Sequence, residues 1–125
     1  MEQINEDYVS FETAKLLKEK GFDYPTLRYY YDEDGDLLFS AWRVDDGKNG
    51  FVAPTLQMAM KWLREVHSLY IDIVTSFSQD GICYTFSCFN TMDLIQGAKE
   101  TSYHEYQTHE EACEEAIKYC LENLI

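Results

Sequence analysis

The chain has 125 residues, of which 46 % are hydrophobic and 15 % aromatic. That length fits one domain and buries enough apolar surface to fold without disulfides or metals, so we predict a single domain over residues 1–125. The 23 acidic and 10 basic residues give a formal net charge of −13. Such a charge opposes direct binding to nucleic acid and to anionic membranes, and it favours a basic protein partner.

The chain also lacks the signals of export. Residues 1–7 contain neither the basic nor the apolar part of a secretory signal. The longest stretches without charged residues, 49–60 and 81–92, are too short to span a bilayer. We therefore expect a cytoplasmic protein, in which the cysteines at positions 83, 88, 113 and 120 are free thiols.

In the first half of the chain, Ser10 caps a predicted helix over about residues 10–20, which Gly21 ends. Aromatic residues then predict a strand over 27–31, and 37–44 returns as its partner. The hairpin turn between them is marked by Asp34 and Gly35.

A second helix is predicted over about residues 55–67, with Pro54 at its entrance. Its polar residues form one narrow stripe, so we expect most of the remaining helix surface to be enclosed. The stripe consists of Gln57, Lys61, Arg64, Glu65 and Ser68.

Alternating residues predict strands over about 69–77 and from Ile82 to Phe86, joined at Asp80 and Gly81. Residues 90–101 have the composition of a loop, and 102–106 are predicted to form a short edge strand. Thr108 and Glu111 have capping-box spacing and begin a helix that reaches about residue 122. The predicted order is α-β-β-α-β-β-(β)-α. We expect an α+β two-layer sandwich in which one antiparallel sheet of four to five strands packs against helices.

No stretch of the sequence carries a motif for nucleotide binding, acyl transfer or zinc proteolysis. The acidic run 32–36 does not fit an EF-hand loop, because its glycine is fourth and the twelfth residue is Arg43. The cysteines do not form the close pairs of a zinc site, since four and six residues separate them. We therefore predict no catalytic residue, no cofactor and no metal, and a chain that is not an enzyme.

The feature that points to a function is the surplus of aromatic residues. Both faces of the predicted strands carry them, although only one face of a two-layer sheet meets the helices. The other face is then expected to expose Tyr30 together with Trp42 or Tyr84, and exposed aromatic patches often mark partner surfaces. The alternative is the ordinary preference of tyrosine for strands. Acidic residues of the C-terminal helix complete the predicted partner surface: Glu110, Glu111, Glu114 and Glu115.

Three segments together resemble a family of small acidic proteins from phages, prophages and mobile elements of gut anaerobic bacteria. They are residues 8–22 (YVSFETAKLLKEKGF), 53–67 (APTLQMAMKWLREVH), and 108–112 with 116–121 (THEEA and AIKYCL). The resemblance covers the three predicted helices and leaves out the hairpins. It implies a bacterial or phage cytosolic setting and an accessory role, and it brings no activity, cofactor or site residue with it.

Three hypotheses for the function follow. The first is a non-enzymatic accessory protein that binds another protein through its aromatic sheet face and acidic rim, in its sharpest form as a DNA mimic. The second is a small-ligand-binding protein or enzyme with a pocket between helix 55–67 and the sheet, lined by Met58, Met60 and Trp62. The alternative for those three side chains is plain core packing. The third hypothesis is a homodimeric structural module.

Overall fold

The computed structural model describes residues 7–22, 29–32, 34–39, 50–90, 100–101 and 104–125. Among these residues, three helices and antiparallel strands confirm the α+β class. The helices are α1 (Phe11–Glu19), α2 (Leu56–His67) and α3 (His109–Tyr119), and α3 continues into a π-helical turn (Cys120–Leu124). The strands are β1 (Tyr29–Tyr31), β2 (Leu37–Phe39), β3 (Phe51–Val52), β4 (Leu69–Ser78), β5 (Gly81–Asn90) and β6 (Glu100–Thr101).

The described strands form two three-stranded antiparallel sheets, ordered β2-β1-β3 and β4-β5-β6. We predicted one sheet of four to five strands instead. The difference arises because each hairpin recruits a third strand of its own. β3, which the sequence did not reveal, pairs with β1, and β6 pairs with β5.

The chain divides into two compact units, Met1–Ala59 and Met60–Ile125, and the boundary falls inside α2. Unit 1 contains α1 and the sheet β2-β1-β3. Unit 2 contains the sheet β4-β5-β6 and α3. The single-domain organisation stays a prediction.

In unit 1, Phe11 links α1 to its sheet. The Ser10 hydroxyl accepts a hydrogen bond from the Thr13 amide at 3.2 Å, which caps α1 as predicted. At the next residue, the ring of Phe11 lies 5.5 Å from that of Tyr31 and 5.7 Å from that of Phe51. These two contacts pack the start of α1 against β1 and β3.

The β1–β2 hairpin turns where the sequence predicts. Asp32 Oδ1 accepts hydrogen bonds from the backbone amides of Asp34 and Asp36, both at 2.9 Å. Gly35 has a φ of +87°, in the left-handed region that glycine adopts most readily. The turn therefore depends on one carboxylate that satisfies backbone donors and on one glycine.

α2 is less enclosed than the sequence predicts. The side chains of Met58 and Val66 are 47 % and 51 % exposed, although neither belongs to the polar stripe. Burial is confined to one face, because the buried positions recur at the spacing of an ordinary amphipathic helix. Those positions are Leu56, Ala59, Trp62 and Leu63. In the part of the chain that the structure describes, no helix is long and apolar enough to cross a membrane.

In unit 2, β4 and β5 pair residue for residue over their whole length. The ladder runs from Leu69 opposite Asn90 to Ser78 opposite Gly81, without a bulge. Gly81 follows the turn with a φ of +118°, which confirms the predicted turn at Asp80 and Gly81. Each strand has ten residues and is longer than predicted.

The third strand of this sheet lies slightly earlier than predicted. Glu100 and Thr101 pair with β5, whereas the prediction placed the edge strand at 102–106. Of that range, Tyr106 forms an isolated bridge with Tyr84, and 102–103 lie outside the described residues. α3 then begins as predicted, because the Thr108 hydroxyl accepts a hydrogen bond from the Glu111 amide at 3.0 Å.

The glycine of the first hairpin gives a test of the Phe11 packing. An added Cβ at Gly35 would lie 3.1 Å from Cδ2 of Phe11, whereas one at Gly21 meets nothing within 4 Å. Both glycines have positive φ, so each change to alanine should cost about 1–2 kcal/mol of strain. We expect Gly35→Ala to lower the free energy of unfolding by about 1 kcal/mol more than Gly21→Ala, because it also crowds the ring.

Urea denaturation of the two variants measures this difference. Equal losses in Gly35→Ala and Gly21→Ala would mean that Phe11 does not pack over the turn.

Candidate functional site

The structure places the predicted partner residues in different surroundings. Trp42 lies outside the described residues, and Tyr30 belongs to unit 1. The remaining five all lie in unit 2, where Tyr84 is on β5 and the others are on α3. Those on α3 are Glu110, Glu111, Glu114 and Glu115, which we call the acidic surface of α3.

Tyr30 lies on the face of its sheet that points away from α1, but it is not exposed there as the sequence predicts. Side chains alternate along a strand, and Tyr31 is the neighbour that contacts Phe11. The cross-strand partners of Tyr30 are Leu38, which is 38 % exposed, and Val52, which is half-buried. Tyr30 is itself half-buried, so this face presents a short apolar row.

Tyr84 lies on the opposite side from the one expected. Its ring is 5.9 Å from that of His109 in the first turn of α3, and the ring of Phe86 is 6.0 Å from that of Tyr119. Even-numbered residues of β5 therefore face α3, and odd-numbered residues lie on the opposite side of the sheet. The result is that a half-buried tyrosine lies beside the start of the acidic helix.

The end of the chain that carries α3 is strongly acidic. Between positions 104 and 125 there are six glutamates and one lysine. Glu110 and Glu111 are exposed in the first turn, whereas Glu114 and Glu115 are half-buried in the next. On α3, the carboxylates that a partner reaches most easily are thus those of the first turn, the turn whose His109 contacts Tyr84.

The negative charge of α3 contributes to a raised pKa of the Cys113 thiol. Cys113 is buried, and its Sγ lies 3.5 Å from Nδ1 of His109. Burial, followed by the negative charges of Glu110 and Glu114, raises the pKa of Cys113 to about 11. Burial and the charge of Glu105 also raise the pKa of Cys83. A nucleophilic cysteine needs the opposite shift, so the Cys113–His109 contact does not support covalent catalysis.

One group of three carboxylates could hold a metal ion by distance alone. Ligand oxygens of Asp32, Asp34 and Asp36 lie within 4.8 Å of one another at the β1–β2 turn. The Asp32 carboxylate already accepts two backbone amides there, so the hairpin accounts for it. Among the described residues, no cysteine or histidine joins a comparable group.

The three side chains predicted to line a pocket do not share one environment. Met58 is 47 % exposed, and Met60 is half-buried. Trp62 is buried, with its ring 4.7 Å from that of His67. The three side chains therefore differ in burial, and the ring of Trp62 contacts that of His67 at the C-terminal end of the same helix.

Sequence reasoning missed an exposed apolar pair at the far end of the β4–β5 hairpin. Phe77 and Ile82 are 82 % and 55 % exposed and lie opposite each other. We call this pair the hairpin tip. Its exposure follows from the position of α3, because Tyr84, two residues beyond Ile82, already contacts the first turn of that helix and the hairpin continues past the helix start.

Titration of Cys113 tests the charge of this site. We expect the Cβ resonance of Cys113 to keep its thiol position until the pH approaches about 11, rather than the usual range near about 8.5. In Glu110→Gln/Glu114→Gln the midpoint should fall, because two negative charges are removed. The matched variant Glu65→Gln/Glu122→Gln should leave it unchanged. Ionisation of the wild-type thiol near its ordinary pKa would contradict this description.

The chain has no significant match to any protein-family model, curated protein or solved structure. The resemblance of its helices to the phage and mobile-element family therefore stays a prediction. Function is inferred from the geometry and charge of the described residues.

Proposed function

We propose that this chain is a non-enzymatic accessory protein that binds a basic partner protein through Tyr84 and the acidic surface of α3. One observation carries the proposal. The Tyr84 ring lies 5.9 Å from His109, whose turn of helix also holds the exposed carboxylates of Glu110 and Glu111. The turn of helix that contacts an aromatic ring thus also carries two accessible negative charges.

The chemistry of this patch suits lysine and arginine. Carboxylates pair with both cations, and arginine also binds to the face of an aromatic ring. The surrounding field has the right sign, because six glutamates outnumber one lysine between positions 104 and 125. The raised pKa of Cys113 supports the same field, since part of it comes from Glu110 and Glu114.

Tyr30 and Trp42 remain proposed partner residues on separate grounds. Tyr30 offers a half-buried ring on the face of its sheet that points away from α1. An apolar row of this kind is typical of the contact area that a protein partner covers, and within unit 1 it is a contact surface in its own right. The phage or mobile-element setting and the cytoplasmic location belong to the same proposal, and they come from the resemblance and from the composition.

A DNA mimic is the narrower form of this proposal. Its carboxylates would take the positions of phosphates on a DNA-binding protein, and the partner would then be one that duplex DNA displaces. The net charge of −13 supports this form. Competition with duplex DNA in a lysate-capture experiment separates a mimic from an adaptor that binds a basic protein elsewhere.

Removing the exposed charges beside Tyr84 should weaken binding to a basic partner. We expect Glu110→Gln/Glu111→Gln to lower recovery of basic proteins from bacterial lysate by about three- to tenfold, because exposed ion pairs contribute about 0.2–1 kcal/mol each. The measurement is quantitative mass spectrometry after capture on the immobilised chain. Recovery should also fall between about 0.05 M and 0.3 M salt, since screening shortens the reach of the charges.

The control removes the same charge elsewhere in unit 2. Glu65 and Glu122 are both exposed, so Glu65→Gln/Glu122→Gln changes the net charge equally without touching the patch. The proposal predicts recovery close to wild type for this control. Equal losses of recovery in both double variants would show that binding depends on net charge alone. If no captured protein shows salt-sensitive recovery, the proposal is refuted.

A further inference from the structure

β4 is a long strand at the edge of its sheet. Within the described part of the chain it pairs only with β5, and the sheet order is β4-β5-β6. It has ten residues, whereas the other edge strands, β2, β3 and β6, have two or three. A strand in this position presents alternate backbone N–H and C=O groups that β5 does not use.

The sequence of β4 lacks the usual protection of such an edge. Natural proteins interrupt edge strands with lysine, proline or a bulge, because an open edge pairs with other chains. The segment LYIDIVTSFS has no lysine, arginine, proline or glycine, and Asp72 is its only charge. Its register with β5 is continuous, so there is no bulge either.

The side chains of β4 specify what a neighbouring strand should carry. One face bears Ile71, Ile73 and Phe77, and Phe77 is 82 % exposed. The other face bears Asp72, which is exposed, and Val74, which is 44 % exposed. A strand added beside β4 would thus place alternate residues against an apolar face and against a face with one carboxylate.

We propose that the edge of β4 binds an extended segment of another protein in which apolar and basic residues alternate. The backbone of that segment pairs with the free edge, its apolar residues cover Ile73 and Phe77, and its basic residues approach Asp72. This is binding by strand addition, in which main-chain hydrogen bonds supply affinity and alternate side chains supply specificity.

Charge selects a basic segment rather than a second copy of this chain. The hairpin from Leu69 to Asn90 contains Asp72 and Asp80 and no basic residue. Each whole chain carries −13, so two copies repel each other as they approach, whereas a cationic segment is attracted. Ile73 and Phe77 share the sheet face of Tyr84, but the proposed segment binds the backbone edge of β4 rather than Tyr84 and the acidic surface of α3, so the proposal does not depend on the proposed function.

The experiment uses a capped peptide as long as β4 in which valine and lysine alternate. Binding to the isotopically labelled full chain is followed by backbone amide NMR. We expect the largest shifts in β4. Two further peptides carry N-methyl groups on alternate backbone amides, one on the odd-numbered and one on the even-numbered residues. Only one edge of the peptide pairs with β4, so we expect one of the two to lose binding and the other to keep it.

Two matched variants locate the site. Val74→Lys places a cation on β4, while Gln79→Lys makes the same change of charge at the turn, where no pairing occurs. Both positions are exposed, so both variants should keep the stability of the wild type. We expect Val74→Lys to weaken the peptide at least about tenfold, and Gln79→Lys to stay within about twofold.

Three outcomes would overturn the proposal. The first is an absence of shifts in β4, and the second is equal tolerance of both methylated peptides, which would reduce the binding to charge attraction. The third is concentration-dependent shifts of β4 without peptide, which would make a second copy the occupant. Glu110→Gln/Glu111→Gln leaves β4 intact, so this result and the lysate result can fail separately.

Discussion

The pairing of β4 with β5 over ten residues is the constraint on which unit 2 depends. A strand of that length reaches about 34 Å, whereas α3 and the π-helical turn that continues it reach about 24 Å. One end of the hairpin is therefore covered, with Phe86 and Cys88 buried on the side that faces α3. The other end extends past the helix, and this is why Phe77 and Ile82 are exposed. The same geometry that forms the core thus creates the apolar tip and the long open edge.

The direction of the side chains along β5 determines where the charged patch forms. Tyr84 shares its face with Phe86, so it meets the first turn of α3 rather than lying on the opposite side of the sheet. Negative charge is favoured in that turn, since glutamates at the start of a helix are stabilised by its dipole and follow the Thr108 cap. The glutamates that stabilise the start of α3 are therefore also the ones proposed to bind a basic partner. The proposed binding patch is a consequence of how the helix begins.

Local signals in the sequence predicted most of the helices, strands and turns, but few of the contacts between them. The caps at Ser10 and Thr108 and the glycines at positions 35 and 81 act through neighbouring backbone, so α1, α3 and both hairpin turns follow from them. The division into two sheets depends on β3 and β6, which contribute only two residues each and carry no periodicity. The side of the sheet that Tyr84 occupies depends on where α3 packs, and the exposure of Phe77 depends on where that helix begins. Both are tertiary facts that no local pattern encodes.

Amide hydrogen exchange of the free chain tests the central claim most directly. If β4 is an open edge, its amides from Leu69 to Ser78 should alternate between slow and fast exchange, because β5 takes only every second N–H group. The amides of Ser87 and Cys88 should both be slow, since β6 pairs with β5 there. Uniformly slow exchange along β4 would show that another part of the chain already covers this edge, and it would contradict the open edge that strand addition requires.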